Sequence, residues 1–98
     1  MKILALSKDV PGVTDDQFTE EIVKAEARKV WDLQQSGVLR EIYFTPDTDG
    51  AVLVLECESA DEARQHLSEL PLVRDGLIDF QIIPLVPYPG FARLFAES

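Results

Sequence analysis

The sequence predicts an α+β fold in which two helices cover one face of a four-stranded antiparallel sheet. Three stretches of the 98-residue chain are almost entirely apolar, at positions 3–7, 51–55 and 77–85. A strand with one face in water alternates apolar and polar residues, so these runs indicate strands that are covered on both faces. Two helices can cover only one face of such a sheet. We therefore predict that the other face packs against a second copy of the chain, with enclosed space near that contact.

The first strand and the first helix are predicted from the turn and capping residues near the amino terminus. The strand covers residues 2–8 and ends at the turn formed by Pro11 and Gly12. The stretch Thr14-Asp15-Asp16-Gln17 is a capping box, because the Thr hydroxyl and the Gln side chain can bind free amides at a helix start. The helix is predicted to run to about Ser36, where the following Gly37 stops it.

The rest of the chain supplies a hairpin, a second helix and a last strand. A strand over 38–45, a turn over 46–50, a strand over 51–57, a helix from Ala60 to Leu70 and a strand over 77–85 follow in order. A second capping box at 59–62 opens the helix and Pro71 stops it. The order βαββαβ is the ferredoxin-like arrangement, in one domain spanning residues 1–98.

The carboxyl-terminal tail, residues 87–98, is more apolar than a free terminus should be. It carries Phe91, Leu94 and Phe95 after the segment Pro87-Tyr88-Pro89-Gly90. Burying such side chains removes apolar surface from water. We predict that the tail docks, with a neighbouring subunit as the candidate surface.

Composition excludes several classes of partner. The net charge is −9 and the nine Lys and Arg residues are scattered, which disfavours nucleic acid and anionic membrane surfaces. The single cysteine, Cys57, cannot form an internal disulfide and is predicted to be a small buried residue. The sequence has neither a membrane-spanning apolar run nor a signal-peptide pattern, so a cytoplasmic location is expected.

One carboxylate stands out on the first helix. On a helical wheel, an apolar stripe is formed by Phe18, Ile22, Ala25, Val30 and Leu33. Glu26 lies near the middle of this stripe and must be exposed by a bend, paired or placed at a cavity. In an apolar cavity its pKa would rise, which suits a base that moves protons. The alternative is an edge residue whose head reaches water or pairs with Lys29.

The other candidate site residues carry weaker signals. Arg40 begins strand two on the same predicted face as Ile42, where it can bind a carboxylate ligand or pair with Glu56 or Glu58 across the hairpin. Tyr88 lies between two prolines and can offer a hydroxyl to a pocket. His66 is the single histidine, so no metal site is predicted.

Two groups of residues resemble one enzyme family. Lys24-Ala25-Glu26, followed by Leu33-Gln34-Gln35-Ser36-Gly37 and Arg40, resembles the first helix and second strand of muconolactone isomerases. Leu70-Pro71-Leu72, followed by Ile83-Pro84-Leu85 and Pro89, is similar to their second-helix exit and last strand. The resemblance covers about two thirds of the chain.

The resemblance implies a ferredoxin-like subunit that pairs into a dimeric α+β barrel, with further assembly. It also implies a cofactor-free proton shift on a small lactone acid from aromatic-compound breakdown. Glu26 matches the family's Lys-Ala-Glu motif and would be the base, with Arg40 as an anchor for the substrate carboxylate. The chain departs from the family at Tyr88, where the family enzyme has a His before the Pro.

Three functions therefore compete at this stage. The first is a cofactor-free isomerase that acts on a small lactone or aromatic-derived acid through Glu26. The second is a cofactor-free monooxygenase, because this architecture hosts several chemistries. The third is a module that binds a small ligand, or assembles with copies of itself, without catalysis.

Overall fold

The computed structural model describes residues 1–48 and 50–96, and it confirms a ferredoxin-like α+β fold. The strands are β1 (Lys2–Asp9), β2 (Leu39–Phe44), β3 (Ala51–Glu56) and β4 (Ile78–Leu85). The helices are α1 (Glu20–Gln35), α2 (Ala60–Ser68) and α3 (Pro71–Arg74), with 3₁₀ turns at Asp15–Gln17 and Gly90–Leu94. The strands form one antiparallel sheet in the order β2-β3-β1-β4.

The core lies on the face of the sheet that the helices cover. In β1, Ile3 and Ala5 pair with Leu55 and Leu53 of β3, and all four side chains are buried. From α2, Ala63 packs into the same cluster of buried side chains. Every second residue of the apolar runs thus contributes a side chain to the core.

The alternate residues of the same runs form a second apolar surface. Leu4, Leu6, Val52, Val54 and Ile83 lie on the other face of the sheet, because residues on neighbouring strands share a face when they are paired. These side chains are only partly buried in the single chain. Burying them against another surface would stabilise an assembly. The sheet therefore offers a surface for the predicted pairing of two copies, and the pairing itself stays a prediction.

The predicted start of the first helix is wrong, because the long helix follows Thr19 and not Thr14. Thr14 N does donate to Gln17 Oε1 at 2.9 Å, but this contact caps only the 3₁₀ turn Asp15–Gln17. The chain then leaves helical geometry at Phe18, whose ring packs against the core. The long helix α1 starts after Thr19, whose hydroxyl accepts the Ile22 N–H at 3.2 Å.

Pro71 has a different role from the one predicted. The second helix ends at Ser68, before the proline, and Pro71 is the first residue of the short helix α3. Proline suits this position because the first turn of a helix leaves its N–H groups without partners in any case. The helix that precedes Pro71 and the helix that follows it are therefore separate elements.

The predicted alternation of strand two is wrong at Arg40. Leu39 pairs with Leu55 and Glu41 pairs with the adjacent Val54, so β2 has one extra residue at this point. This extra residue is Arg40, in a β-bulge, and a bulged residue does not follow the alternation of its strand. Arg40 consequently does not share the regular core-facing position of Ile42.

The carboxyl-terminal tail extends from the body of the molecule. Phe91, Leu94 and Phe95 are 67%, 75% and 83% exposed. The Cα radius of gyration is 16.3 Å, against about 13 Å for a compact domain of this length. Residues 97 and 98 of the predicted docking tail, and Asp49 of the predicted turn, lie outside the described residues. Docking of the tail therefore stays a prediction.

Candidate functional site

A cavity of about 750 Å³ lies between α1 and the helix-covered face of the sheet. Its apolar walls come from the 3₁₀ segment, α1, the sheet and the start of α3, and include Phe18, Val30, Trp31, Ile42, Phe44, Leu53, Leu72 and Phe80. Its polar lining consists of Ser7, Asp9, Asp15, Glu26 and Gln34. We expected enclosed space near the open face of the sheet, and this cavity instead lies on the opposite face, within one chain.

The cavity exists because α1 does not pack closely onto the sheet. No residue of α1 is fully buried, although Ile22, Val30 and Leu33 on its apolar stripe are partly buried. At the facing edge of the sheet, Ile42 and Phe44 remain 39% and 75% exposed. Apolar walls that do not touch one another leave a space suited to an apolar ligand.

Glu26 lines this cavity and is held by a backbone amide. Its Oε1 accepts the Leu72 N–H at 3.0 Å, across a separation of 46 residues. The side chain is partly buried, and desolvation raises the pKa of the carboxyl group, while the hydrogen bond from Leu72 acts in the opposite direction. No ion pair with Lys29 forms within the residues described, so the alternative of a paired edge carboxylate is not what the structure contains.

The short helix α3 explains why the Leu72 amide is available. Pro71 occupies the first position of α3 and has no N–H, which makes Leu72 the first residue with an amide to donate. α1 contacts α3 directly. The same proline that ends one helical stretch therefore presents a donor to the carboxylate on α1.

Ser7 supplies a second polar group to the cavity. Its Oγ accepts the Ala51 N–H at 2.7 Å, so the hydroxyl hydrogen remains free to donate to another group. Sequence reasoning did not select Ser7, although one signal was present. Ser7 continues the alternation of Ile3 and Ala5 and is therefore a polar side chain on the core face of β1.

The sequence of the chain also matches a known family. The family model for muconolactone delta-isomerase matches residues 4–90. The chain belongs to this family. No curated protein sequence matches the chain closely enough to add a named relative.

Solved structures of relatives share the fold of this family member. A crystal structure of muconolactone isomerase at 3.3 Å resolution superposes with a TM-score of 0.74 at 19% identity, covering 91% of this chain and 92% of that chain. A 5-chloro-2-hydroxyhydroquinone dehydrochlorinase from Burkholderia phenoliruptrix AC1100, in complex with 2,5-dihydroxybenzoquinone, superposes with a TM-score of 0.69 at 21% identity, covering 92% of this chain and 98% of that one. At these identities the superpositions establish the fold alone.

Arg40, the residue predicted to anchor a substrate carboxylate, lies outside the cavity lining of this chain. Its Nε donates to the Gly37 carbonyl oxygen at 2.6 Å, and its side chain is exposed. Across the hairpin, the pKa of Glu56 is lowered mainly by its hydrogen bond with the amino terminus and to a smaller degree by the charge of Arg40. The structure thus does not bring Arg40 to Glu26 within one subunit.

Tyr88 also lies away from the cavity lining. It is 65% exposed, in the tail, and its ring meets that of Phe91 edge-to-face at a centroid distance of 5.0 Å. The Tyr88 ring covers Gly90 so closely that a Cβ at Gly90 would lie 2.0 Å from it. A role for Tyr88 at the cavity of its own chain is not supported by this placement.

The structure gives no metal or membrane feature in the part of the chain that it describes. Among the described residues, no group of three or more His, Cys, Asp or Glu side chains is placed so that it could hold a metal ion. His66 Nε2 lies 3.6 Å from Glu62 Oε1, one turn away on α2. Across residues 1–48 and 50–96, no helix combines the length and the apolarity needed to cross a membrane.

Proposed function

We propose that this family member is a cofactor-free isomerase that moves a proton on a small unsaturated ring compound, such as a lactone or an aromatic-derived acid. The observation that carries the proposal is the position of Glu26. Its carboxyl group lines a largely apolar cavity, is partly buried and receives one backbone hydrogen bond. A carboxyl group with a raised pKa in such a place is suited to take up and return a proton.

The proposed reaction needs one base and at least one hydrogen-bond donor. Glu26 removes a proton from the saturated ring carbon attached to the far end of the conjugated C=C–C=O unit of the bound compound. The electron pair of the broken C–H bond moves into the conjugated system, and negative charge develops on the carbonyl oxygen. The protonated Glu26 then returns the proton to a different carbon, so the double bond shifts and nothing is consumed.

The donor for the developing negative charge is proposed to be Ser7. Its hydroxyl hydrogen is free because the oxygen already accepts the Ala51 N–H. The Gln34 side-chain amide, also in the cavity lining, is a second candidate donor. Donors directed at an enolate oxygen act most strongly where water is excluded, as between apolar walls.

Pairing of two copies is part of the proposal, because it would give a role to Arg40 and Tyr88, which lie outside the cavity lining of their own chain. The open face of the sheet offers Leu4, Leu6 and Val54, and the exposed tail carries Tyr88. In an assembly, the tail of one copy can reach a second copy, which is the remaining way for Tyr88 or Arg40 to meet a ligand. We therefore propose a homodimer or a larger homo-oligomer in which these two residues act across a subunit contact.

Binding without catalysis is the second candidate function. It is favoured by one specific observation: Tyr88, which stands where the resemblance implies a His, lies in an exposed tail outside the cavity lining of its own chain. A relative with this fold is named a dehydrochlorinase, so the scaffold serves more than one named activity. A cofactor-free monooxygenase is a further alternative, which oxygen uptake with a bound aromatic substrate would reveal.

Proton–deuterium exchange tests the proposal directly. A thermal-shift screen of unsaturated γ-lactones, dicarboxylates and aromatic acids identifies ligands, and NMR in D₂O then measures deuterium incorporation into each one. We expect exchange with the wild-type protein and a loss of at least about a hundredfold in Glu26→Gln, which cannot act as a base.

Glu20→Gln is the matched control, because Glu20 lies exposed in the first turn of the same helix. It should exchange at the wild-type rate. Equal rates in the Glu26→Gln variant and the wild type would remove Glu26 from the mechanism. Thermal stabilisation by a ligand that never exchanges would favour binding without catalysis.

A further inference from the structure

The hydroxyl group of Ser7 is held in place from the neighbouring strand. The pairing of β1 with β3 extends to Leu6 and Val52. One step further, the Ala51 N–H donates to Ser7 Oγ at 2.7 Å, so a side chain supplies the acceptor that a strand backbone usually supplies. Since Ser7 also lines the cavity, a contact from the start of β3 fixes the orientation of a polar group in the cavity wall.

Gly50, at the end of the turn that joins β2 to β3, lies against Ser7 with no room for a side chain. A Cβ at Gly50 would lie 3.1 Å from the Ser7 carbonyl oxygen, which is closer than ordinary van der Waals contact. The same Cβ would lie 3.3 Å from Thr48 Oγ1 and 3.4 Å from Thr45 Oγ1. Gly50 is not among the glycines with a positive φ angle. The surrounding space, and not the backbone conformation, therefore requires glycine at this position.

The turn holds Gly50 from the side opposite to Ser7. The Thr45 N–H donates to the Gly50 carbonyl oxygen at 2.8 Å, and the Gly50 N–H donates to Thr45 Oγ1 at 3.2 Å. Thr45 Oγ1 lies 2.6 Å from Thr48 Oγ1. Because Gly50 is bound to the turn in this way, a methyl group added to it would push the Ser7 backbone away by a few tenths of an ångström.

From these contacts we infer that Gly50 is a positioning residue, which acts by setting where the Ser7 hydroxyl group points in the cavity. The inference rests on the proposed function, because it takes Ser7 as the donor to the enolate oxygen. Gly50 is outside the cavity lining, so its effect passes through Ser7 and the Ala51 amide. A donor that is displaced by a fraction of an ångström stabilises a developing charge less well.

Amide hydrogen exchange in the free protein tests the contact between Gly50 and Ser7 without any ligand. The Ala51 N–H reports on its hydrogen bond to Ser7 Oγ. The Glu56 N–H, which donates to the Val38 carbonyl oxygen at 2.8 Å, reports on the other end of β3. In Gly50→Ala, we expect the ratio of the Ala51 rate to the Glu56 rate to rise by at least about threefold, because the bond to Ser7 weakens locally.

Deuterium incorporation into a ligand tests the consequence for the reaction. The probe is α,β-unsaturated γ-butyrolactone, a simple compound of the proposed class, and NMR in D₂O follows its ring CH₂ group. In Gly50→Ala, the rate at saturating lactone should fall by at least about fivefold. The half-saturating lactone concentration should stay within about twofold of the wild-type value, since the Ser7 donor acts mainly on charge that develops in the transition state.

A double variant shows whether Gly50 acts through Ser7. Ser7→Ala combined with Gly50→Ala should exchange the lactone at the rate of Ser7→Ala alone, because the hydroxyl group that Gly50 positions is already absent. The matched control is Gly12→Ala. A Cβ at Gly12 meets nothing within 4 Å, but its φ angle of 90° makes alanine strained there. This control should lower stability and leave both the amide ratio and the lactone exchange rate unchanged.

Several results would overturn the inference. They are an unchanged amide ratio in Gly50→Ala, a wild-type lactone rate in that variant, or an equal proportional loss whether or not the Ser7 hydroxyl is present. Gly12→Ala acting like Gly50→Ala would overturn it as well. A wild type that exchanges no ligand would reject the proposed isomerase, and the amide ratio would then decide separately whether Gly50 positions Ser7.

Discussion

Replacing Glu26 by Gln should make the protein more stable at neutral pH while removing the proposed activity. Gln has nearly the same shape, and its side-chain carbonyl oxygen can still accept the Leu72 N–H that Glu26 accepts at 3.0 Å. It has no negative charge to desolvate. A residue kept for its chemistry in a poorly solvated place is expected to cost stability.

The pH dependence of this effect has a definite sign. Desolvation raises the pKa of Glu26 in the folded state above its ordinary value of 4.5. The folded protein therefore binds this proton more tightly than the unfolded chain does, and the wild type loses stability as pH rises from 4.5 to the raised pKa. The stability advantage of Glu26→Gln should be smallest near pH 4, grow through this window and then become constant.

The size of the stability change is limited by the single proton that Glu26 binds and by its one hydrogen bond from Leu72. One proton allows a slope of at most about 1.4 kcal/mol per pH unit in the free energy of unfolding. Glu26→Ala removes the acceptor as well as the charge, and a lost hydrogen bond of this kind costs about 1 kcal/mol. The alanine variant should therefore melt about 4–8 °C below the glutamine variant at pH 8, given the size of the domain.

Urea unfolding followed by circular dichroism, from pH 4 to pH 9, measures the free energies of unfolding, and thermal melting at pH 8 measures the difference in melting temperature. The wild type and the Gln and Ala variants of Glu26 are compared at each pH. The reasoning would be refuted if Glu26→Gln were less stable than the wild type at pH 8. It would also fail if the stability difference between these two proteins did not change with pH.

Two further predictions concern the sheet. Leu6→Glu places a charge on the open face of the sheet. In sedimentation experiments the wild type should behave as an assembly of two or more chains, and the variant as the 11.0 kDa single chain. A wild type that sediments as a lone compact subunit at micromolar concentration would contradict the predicted pairing. Ser7→Ala removes the proposed enolate donor and leaves the Ala51 N–H without its acceptor, so deuterium exchange should slow by about 10²–10³-fold and stability should fall by about 1 kcal/mol. An unchanged exchange rate in this variant would exclude Ser7 from the reaction.

Much of the fold could be predicted because its signals are local. The apolar runs of β1, β3 and β4, the turn near residues 46–50 and the capping residues around positions 14 and 59 each lie within a few neighbouring residues. The errors arose where two local signals competed. Thr14 satisfies a capping pattern, but the preference of Phe18 for the core moves the start of the long helix to Thr19.

The residues that line the cavity were selected only in part. Glu26 was selected because a carboxylate interrupts the apolar stripe of a helix, and that interruption is visible in the sequence. Ser7 was missed because β1 is apolar on both faces, so the alternation that places Ser7 on the core face does not stand out in the sequence. The placement of Arg40 depends on a bulge, which shifts the alternation by one residue and leaves no clear pattern in the sequence.

The sequence by itself determined the order of the elements, the doubly apolar strands and the presence of an acidic residue on an apolar helix face. These properties follow from backbone periodicity and from contacts between residues close in the chain. The tertiary structure alone decided that the cavity lies under α1, that Leu72 holds Glu26 and that Ser7 lines the same space. The reason is that the gap between a helix and a sheet depends on how side chains from distant segments fill it, and segment-by-segment patterns do not contain that information.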